Sequence, residues 1–149
     1  ERYHLLLVGG DGYGAGAIHA FIAGERLEAR VHRTGYVSAS VLRTFYHSAS
    51  ALLFPSLEEG FGFPVLEAMA HGLPVVTSGT SSLPEVGGSA ALYADPHDPC
   101  AIASQVVQAV ESPAVRERMV TEGLARAREF TWRRTAEQTL QIYDELLGT

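Results

Sequence analysis

A chain of 149 residues with 46% hydrophobic and 19% charged side chains has room for one core and excludes the disordered and fibrous classes. Its 11 basic and 17 acidic side chains give a formal charge of -6, which offers nothing to a nucleic-acid backbone or an anionic membrane, so neither is expected as a partner. Cys100 is the one cysteine, so no disulfide framework or thiolate metal cluster forms within the chain, and a reducing, cytoplasmic compartment is favoured.

In chain order, Tyr3 to Val8 reads as a buried strand ended by Gly9 and Gly10. A DGYGAG turn leads into a weak helix from Ala15 to Ala23, and Arg30 to Val37 forms a second strand at the sheet margin. Ser38 caps a helix whose Val41, Leu42, Phe45 and Tyr46 make one apolar stripe. Ala51 to Phe54 is a short central strand halted by Pro55. Pro64 then opens a helix, apolar almost all round, that stops at Gly72.

Leu73 to Thr77 is the next strand, and SGTSS is a loop before a short helix with Ser82 and Glu85 at capping-box spacing, closed by Gly87 and Gly88. Ala91 to Ala94 is the last strand. Asp98 and Pro99 cap and open a helix with Ile102, Val106, Val107 and Val110 on one side, and Ser112 with Pro113 repeats the device for a charged helix to about Glu129. Thr131 caps the final helix, whose Trp132, Ala136, Leu140, Tyr143 and Leu147 mark a packed side. Phe130 and Trp132 read as its docking point rather than as a stacking platform.

Alternating strands and helices imply a doubly wound parallel α/β sheet, Rossmann-like, in a single domain over residues 1–149. Ligands in such sheets bind beyond the carboxyl ends of the strands, where Gly9-Gly10, Tyr36-Val37, Pro55 to Phe63 and Thr77 to Ser82 are expected to meet. An acid stands on each side of the glycine turn there. Glu59 lies in the loop and Glu67 one turn into an apolar helix, where a buried carboxylate is costly unless partnered. Each carboxylate suits neighbouring sugar or ribose hydroxyls, because its oxygens accept several hydrogen bonds. Gly60 and Gly62 let a ligand approach the backbone, and the amides around Phe63 to Leu66 face a phosphate. The bland alternative places Glu59 in solvent and gives Glu67 only the benefit of the helix dipole.

Other chemistries find less support. Gly10, Gly12 and Ala15 fit a relaxed dinucleotide pattern, but no acid ends the Arg30 to Val37 strand to take an adenosine ribose. Histidines 4, 19, 32, 47, 71 and 97 lack metal-ligand spacing, and no serine or cysteine sits in a nucleophile elbow. No metal or cofactor is expected. No apolar run reaches the about 20 residues that span a bilayer.

The run SLEEGFGFPVLEAMAHGLPVVTSGTSSLPEV resembles the donor-binding core of retaining glycosyltransferases of the GT-B fold, glycosyltransferase family 4 type, with LLLVGG, RTGYVSASVLRTFYHSASALLFPS, ALYADPHD and REFTWRRTAEQTLQIYDELL supporting it. The resemblance implies the C-terminal half of a two-domain enzyme that moves a mannose- or glucose-type hexose from a GDP- or UDP-sugar to a hydroxyl acceptor. It implies that Glu59 holds donor-sugar hydroxyls and is the catalytic position, and that Glu67 holds the ribose. The amides after the glycine turn, near Pro64 to Leu66 at Val65 and Leu66, then lie by the diphosphate, and Gly60, Phe61, Gly62 and Phe63 belong to the same donor site, with Gly10, Tyr36 and Val37 completing it and the base near Tyr36-Val37. Residues 131–149 are expected to pack on an N-terminal acceptor-binding domain, through which the protein touches a membrane peripherally if at all.

Two departures from the pattern stand out. The family's preceding strand with its arginine, and the lysine of a following KG turn, are not in these 149 residues, so the chain alone is expected to bind donor weakly and to transfer negligibly. Because it opens almost directly into a strand, it reads as part of something longer. Within the same fold, a nucleotide-sugar epimerase or hydrolase remains open, as does a non-catalytic donor-binding or partner domain.

Overall fold

A computed structural model describes residues 3–148. The chain divides into two compact units, Glu1–Thr44 and Phe45–Thr149.

In the first unit β1 (Leu5–Val8) and β2 (Val31–Gly35) form a parallel ladder, with α1 (Ala15–Gly24) as the crossover. Leu5 to Leu7 pair in order with Val31 to Arg33, and the register slips before Val8 meets Gly35. The expected burial of β1 is not found: Leu5, Leu6 and Val8 are each 42% exposed. A continuous apolar run needs cover on both faces, and a two-strand ladder with one short helix cannot supply it. Within this two-stranded ladder β1 and β2 each have one strand neighbour.

Helix α2 (Ala39–Ser48) begins after Ser38, whose hydroxyl accepts the Val41 N–H at 3.4 Å, and its last turn, from Phe45, belongs to the second unit. Here β3 (Leu52–Phe54), β4 (Val75–Ser78) and β5 (Ala91–Ala94) form a parallel ladder in the order β3-β4-β5. The central strand is therefore β4, every residue of which is buried, whereas β3, read as central, has β4 as its one ladder neighbour. Leu53, Val76 and Leu92 lie in one cross-strand row. That row packs on Val106 and Ala109 of α5 (Pro99–Glu111) and on Val115 and Met119 of α6 (Pro113–Ala127).

Helix α3 (Phe63–Ala70) connects β3 to β4 and lies against α6, where Gly123 lets Met69 approach: a Cβ at Gly123 would meet Met69 Cγ at 3.3 Å. Asp98 caps α5 as expected, accepting the Cys100 and Ala101 N–H groups at 2.9 and 3.0 Å. The buried stripe of α5 differs from the expected one, because Val107 is 57% exposed and Ala109 is buried in its stead. The next helix, α4 (Leu83–Gly87), lies between β4 and a 3-10 turn at Gly88–Ala90. Its expected capping box is absent: Ser82 has helical backbone angles and its hydroxyl bonds elsewhere.

The last helix, α7 (Trp132–Leu147), is capped by Thr131, which accepts the Arg134 N–H at 3.2 Å. None of its residues is buried, and Trp132 is 81% exposed. The expected packed side is therefore uncovered among the described residues, and Trp132 lies largely in solvent. No helix among the described residues is long and apolar enough to cross a membrane.

Candidate functional site

The glycine turn between β3 and α3 is held by hydroxyls rather than by a ladder. Carbonyls from the end of β3 along the loop receive hydroxyls from the β4 end and the segment after it. Thr77 donates to Phe54 O at 2.7 Å, Ser78 to Ser56 O, Thr80 to Leu57 O at 3.1 Å and Ser81 to Glu59 O at 2.8 Å. The Ser82 hydroxyl lies 2.9 Å from both Glu59 O and Phe61 O, so its one proton is shared between them. Ser81 closes the pair by accepting the Glu59 N–H at 3.2 Å.

Glu59 is thus fixed at its backbone from both sides while its half-buried side chain stays outside the strip. Ser81 itself has φ 56, a left-handed conformation unusual outside glycine, and such strain concentrates at sites that must hold one geometry. Sequence reasoning missed this strip. SGTSS was legible as a loop, and four hydroxyls in five residues were the signal that the loop does more than turn the chain.

Gly62 is the N-cap of α3 and is buried with φ 102, and a Cβ there would fall 2.8 Å from Leu83 Cδ2. No side chain caps this end and no acid occupies its first turn, so the mouth of α3 keeps its positive potential. The helix opens at Phe63, with Pro64 second, one residue earlier than expected. Val65 and Leu66, two of the amides expected to face phosphate, direct their N–H groups at Gly62 O, at 3.1 and 3.4 Å. Open donor positions at this end therefore lie nearer Phe63.

Only one stripe of α3 is buried, formed by Val65, Ala68 and Met69. Phe63, Glu67 and Ala70 share the exposed face, so the reading of Glu67 as a carboxylate among apolar neighbours all round is corrected. A helix of eight residues packed against one partner side buries about a third of its circumference, whatever the polarity of the rest. The Cα–Cβ bonds of a helix tilt toward its N-terminus, and Glu67 lies about 6 Å along the axis from Phe63, one turn in from the glycine turn.

That carboxylate has a partner the sequence did not announce. Tyr46 of α2, 8% exposed, donates its phenol proton to Glu67 Oε2 at 3.0 Å. Burial chiefly, then the hydrogen bond and the negative charge of Glu67, push the phenol well above its ordinary value of 10.0. Tyr46 was legible only as one member of an apolar stripe, since a phenol looks the same whether it packs or donates. Beside it, His71 bonds through Nδ1 to Glu67 O at 2.7 Å, and its ring centroid lies 5.4 Å from that of Tyr46.

Aromatic rings line the other flank of the turn. Phe61 meets Phe63 at 4.7 Å between centroids and Phe130 at 5.8 Å edge-on, while the Arg126 guanidinium lies 4.7 Å over Phe130. Phe130 thus docks as expected and Trp132 does not. Gly60 is exposed at the turn. Gly10, Tyr36 and Val37 belong to the first unit, where Tyr36 is 90% exposed and Val37 half-buried. No group of three metal-ligating side chains occurs among the described residues.

Comparisons with known proteins converge on this segment. O-antigen chain mannosyltransferase B of Escherichia coli is 39% identical over 142 residues, 95% of this chain and 37% of that protein. MMP alpha-(1->4)-mannosyltransferase of Mycolicibacterium hassiacum is 34% identical over 122 residues, 79% of this chain and 30% of that protein. Among solved structures, sucrose-phosphate synthase of Thermosynechococcus elongatus superposes with a TM-score of 0.83 at 29% identity, over 97% of this chain and 39% of that one.

Anabaena HepE, solved with UDP and glucose, superposes at 0.80 with 23% identity, over 98% of this chain and 40% of that one, a likeness of fold. The chain therefore spans about two-fifths or less of these relatives and matches the Rossmann-like C-terminal half of GT-B structures. Because the family model for glycosyl transferases group 1 matches residues 1–112, which include the glycine turn, both flanking acids and all five strands, the chain belongs to that glycosyltransferase family.

Proposed function

We propose that the full-length protein transfers a mannose- or glucose-type hexose from a GDP- or UDP-sugar to a hydroxyl acceptor with retention at the anomeric carbon, and that this chain is its donor-binding domain. The observation that carries the reading is the pair of acids on a fixed frame. Glu59 sits on a loop whose carbonyls are tied down, and Glu67 sits on the exposed face of α3 beside an uncapped helix mouth. The names of the mannosyltransferase relatives support the hexose class, and the UDP and glucose of the Anabaena structure support a nucleoside-diphosphate donor.

In this reading Glu59 accepts hydroxyls of the donor sugar and Glu67 those of the ribose, each carboxylate serving two neighbouring hydroxyls. Backbone at Gly60 to Phe63 receives the diphosphate at the positive end of α3, and Gly10, Tyr36 and Val37 keep their donor-site roles, with the base at Tyr36-Val37. The bond from the anomeric carbon to the diphosphate breaks, the acceptor oxygen bonds on the same face, and the acceptor proton leaves with the diphosphate. Nothing in that sequence requires Glu59 to form a covalent bond. An N-terminal domain of the same protein supplies the acceptor site, and residues 131–149 pack toward it.

A panel of GDP- and UDP-hexoses offered to the full-length protein with a hydroxyl acceptor tests this. One donor should give product of retained configuration. Glu59→Gln should lower kcat/KM about 10- to 100-fold with little change in nucleoside-diphosphate affinity, and Glu67→Gln should weaken that affinity itself. Product of inverted configuration, or turnover indifferent to both substitutions, would sink the proposal.

A further inference from the structure

Glu67 presents an unusual combination. It lies on the exposed face of its helix, where a carboxylate is ordinarily left to water, yet a buried tyrosine on a different helix reaches it. Tyr46 is 8% exposed, and its ring sits 5.4 Å from that of His71, whose own Nδ1 is engaged by Glu67 O. The phenol therefore has its ring in the core and its hydroxyl at the base of the carboxylate. Among the described residues no other hydrogen-bond donor reaches that carboxylate.

A glutamate side chain has several rotatable bonds and, on a helix surface, samples many of their combinations. One hydrogen bond from a buried group selects among them, because the tyrosine ring is held by packing. The phenol engages Oε2 and leaves Oε1 open, on a side chain whose Cα–Cβ bond tilts toward the N-terminal mouth of α3. Its proton stays on the phenol through the physiological range, so the contact persists as a donor.

We propose that Tyr46 is a positioning residue for Glu67: its phenol pins one carboxylate oxygen so that the other is presented, in one rotamer, to a vicinal diol of the bound nucleotide. The inference rests on the reading of Glu67 as the ribose-holding acid. It adds the element that makes that acid discriminating, since a free carboxylate would accommodate a missing hydroxyl by changing rotamer, whereas a pinned one leaves an acceptor unsatisfied. A merely structural phenol would need an acceptor too, and would contribute only to folding stability.

The two roles separate in a binding experiment on the full-length protein. Affinities are measured by titration calorimetry for UDP and GDP and for their 2′-deoxy and 3′-deoxy counterparts, in wild type, Tyr46→Phe, Glu67→Gln and the double variant. Tyr46→Phe removes one oxygen atom from a residue whose ring stays buried, and circular dichroism confirms that it folds. The wild type should prefer the ribonucleotide about tenfold, and Tyr46→Phe should reduce that preference to about twofold by weakening the ribonucleotide while leaving the deoxynucleotide unchanged. In the Glu67→Gln background the tyrosine substitution should then add less than about twofold.

If the wild type discriminates and Tyr46→Phe discriminates equally, with only its melting temperature lowered, the positioning role is overturned while the ribose reading stands. If the wild type itself makes no distinction between ribo- and deoxynucleotides, the ribose reading fails first, and the role of Tyr46 with it.

Discussion

At Tyr46 the deciding quantity is what it would cost to form a phenolate beside Glu67 in a half-dry setting. Burial, the hydrogen bond and the adjacent charge all oppose ionisation, so the folded phenol titrates well above 10.0 while the unfolded one titrates near it. The sign follows from proton counting: above about pH 10 the unfolded chain loses a proton that the folded chain keeps, so stability falls as pH rises. Below pH 10 both states are protonated and the term is constant. The chain contains no lysine, which leaves that alkaline window unusually clear.

The urea midpoint of wild type should therefore decline more steeply between about pH 9.5 and 11.5 than that of Tyr46→Phe. Tyr93, whose burial also raises it and whose hydroxyl donates to Gly88 O at 2.8 Å, gives both proteins a shared residual slope. Parallel midpoints across the window would show that the contact is absent in solution. Glu67 itself was legible as an acid set apart from its helix, but for the wrong reason. Composition made its helix look buried all round, whereas it is exposed and partnered across 21 residues of sequence, a separation that no local pattern reports.

For the element, α3 shows how a helix end becomes a binding mouth. Its N-cap must turn left-handed, must carry no side chain and must leave the first N–H groups unclaimed by a serine or aspartate. Gly62 meets all three conditions, with φ 102 and only 2.8 Å from a built Cβ to Leu83 Cδ2. Gly62→Ala combines a conformation that alanine resists with an intrusion on a fully buried leucine, so a loss of roughly 1–3 kcal/mol is expected, read as a lower melting temperature. In the full-length protein donor KM should rise as well, because the turn that relaxes carries Phe61 to Phe63. An unchanged melting temperature would mean that Leu83 yields freely and that the left-handed turn is not required.

The sequence made the helix, its proline and its glycine stop readable, because those are local preferences. It misled at Ser82, where capping-box spacing was satisfied but the hydroxyl is spent on Glu59 O and Phe61 O instead of on its own helix. Spacing reports what a serine can reach along its chain and is silent on what approaches from another loop.

Taken whole, the molecule is unevenly covered, and the difference lies in the parts where sequence patterning predicted burial. Strand β4 is sealed because β3, β5, α5 and α6 surround it, and its apolar run was read correctly. Strand β1 and helix α7 carry equally clear apolar patterns and are not sealed: Leu140, Tyr143 and Leu147 are 59%, 56% and 76% exposed. A pattern records which face wants cover and cannot say whether the same chain provides it. A helix of 16 residues is marginal in water on its own, so α7 draws little stability from that face here.

Leu140→Glu with Leu147→Glu should consequently leave the melting temperature of the 149-residue chain within about 2 °C, since both side chains are more exposed than covered. In the full-length protein, whose relatives are more than twice as long as the matched region, the same pair should lower it by several degrees if residues 131–149 pack on the acceptor-binding domain as proposed. Differential scanning calorimetry on both proteins makes the comparison. Equal shifts in the two would place the cover for α7 within this chain, and no shift in either would remove the helix from the interface altogether.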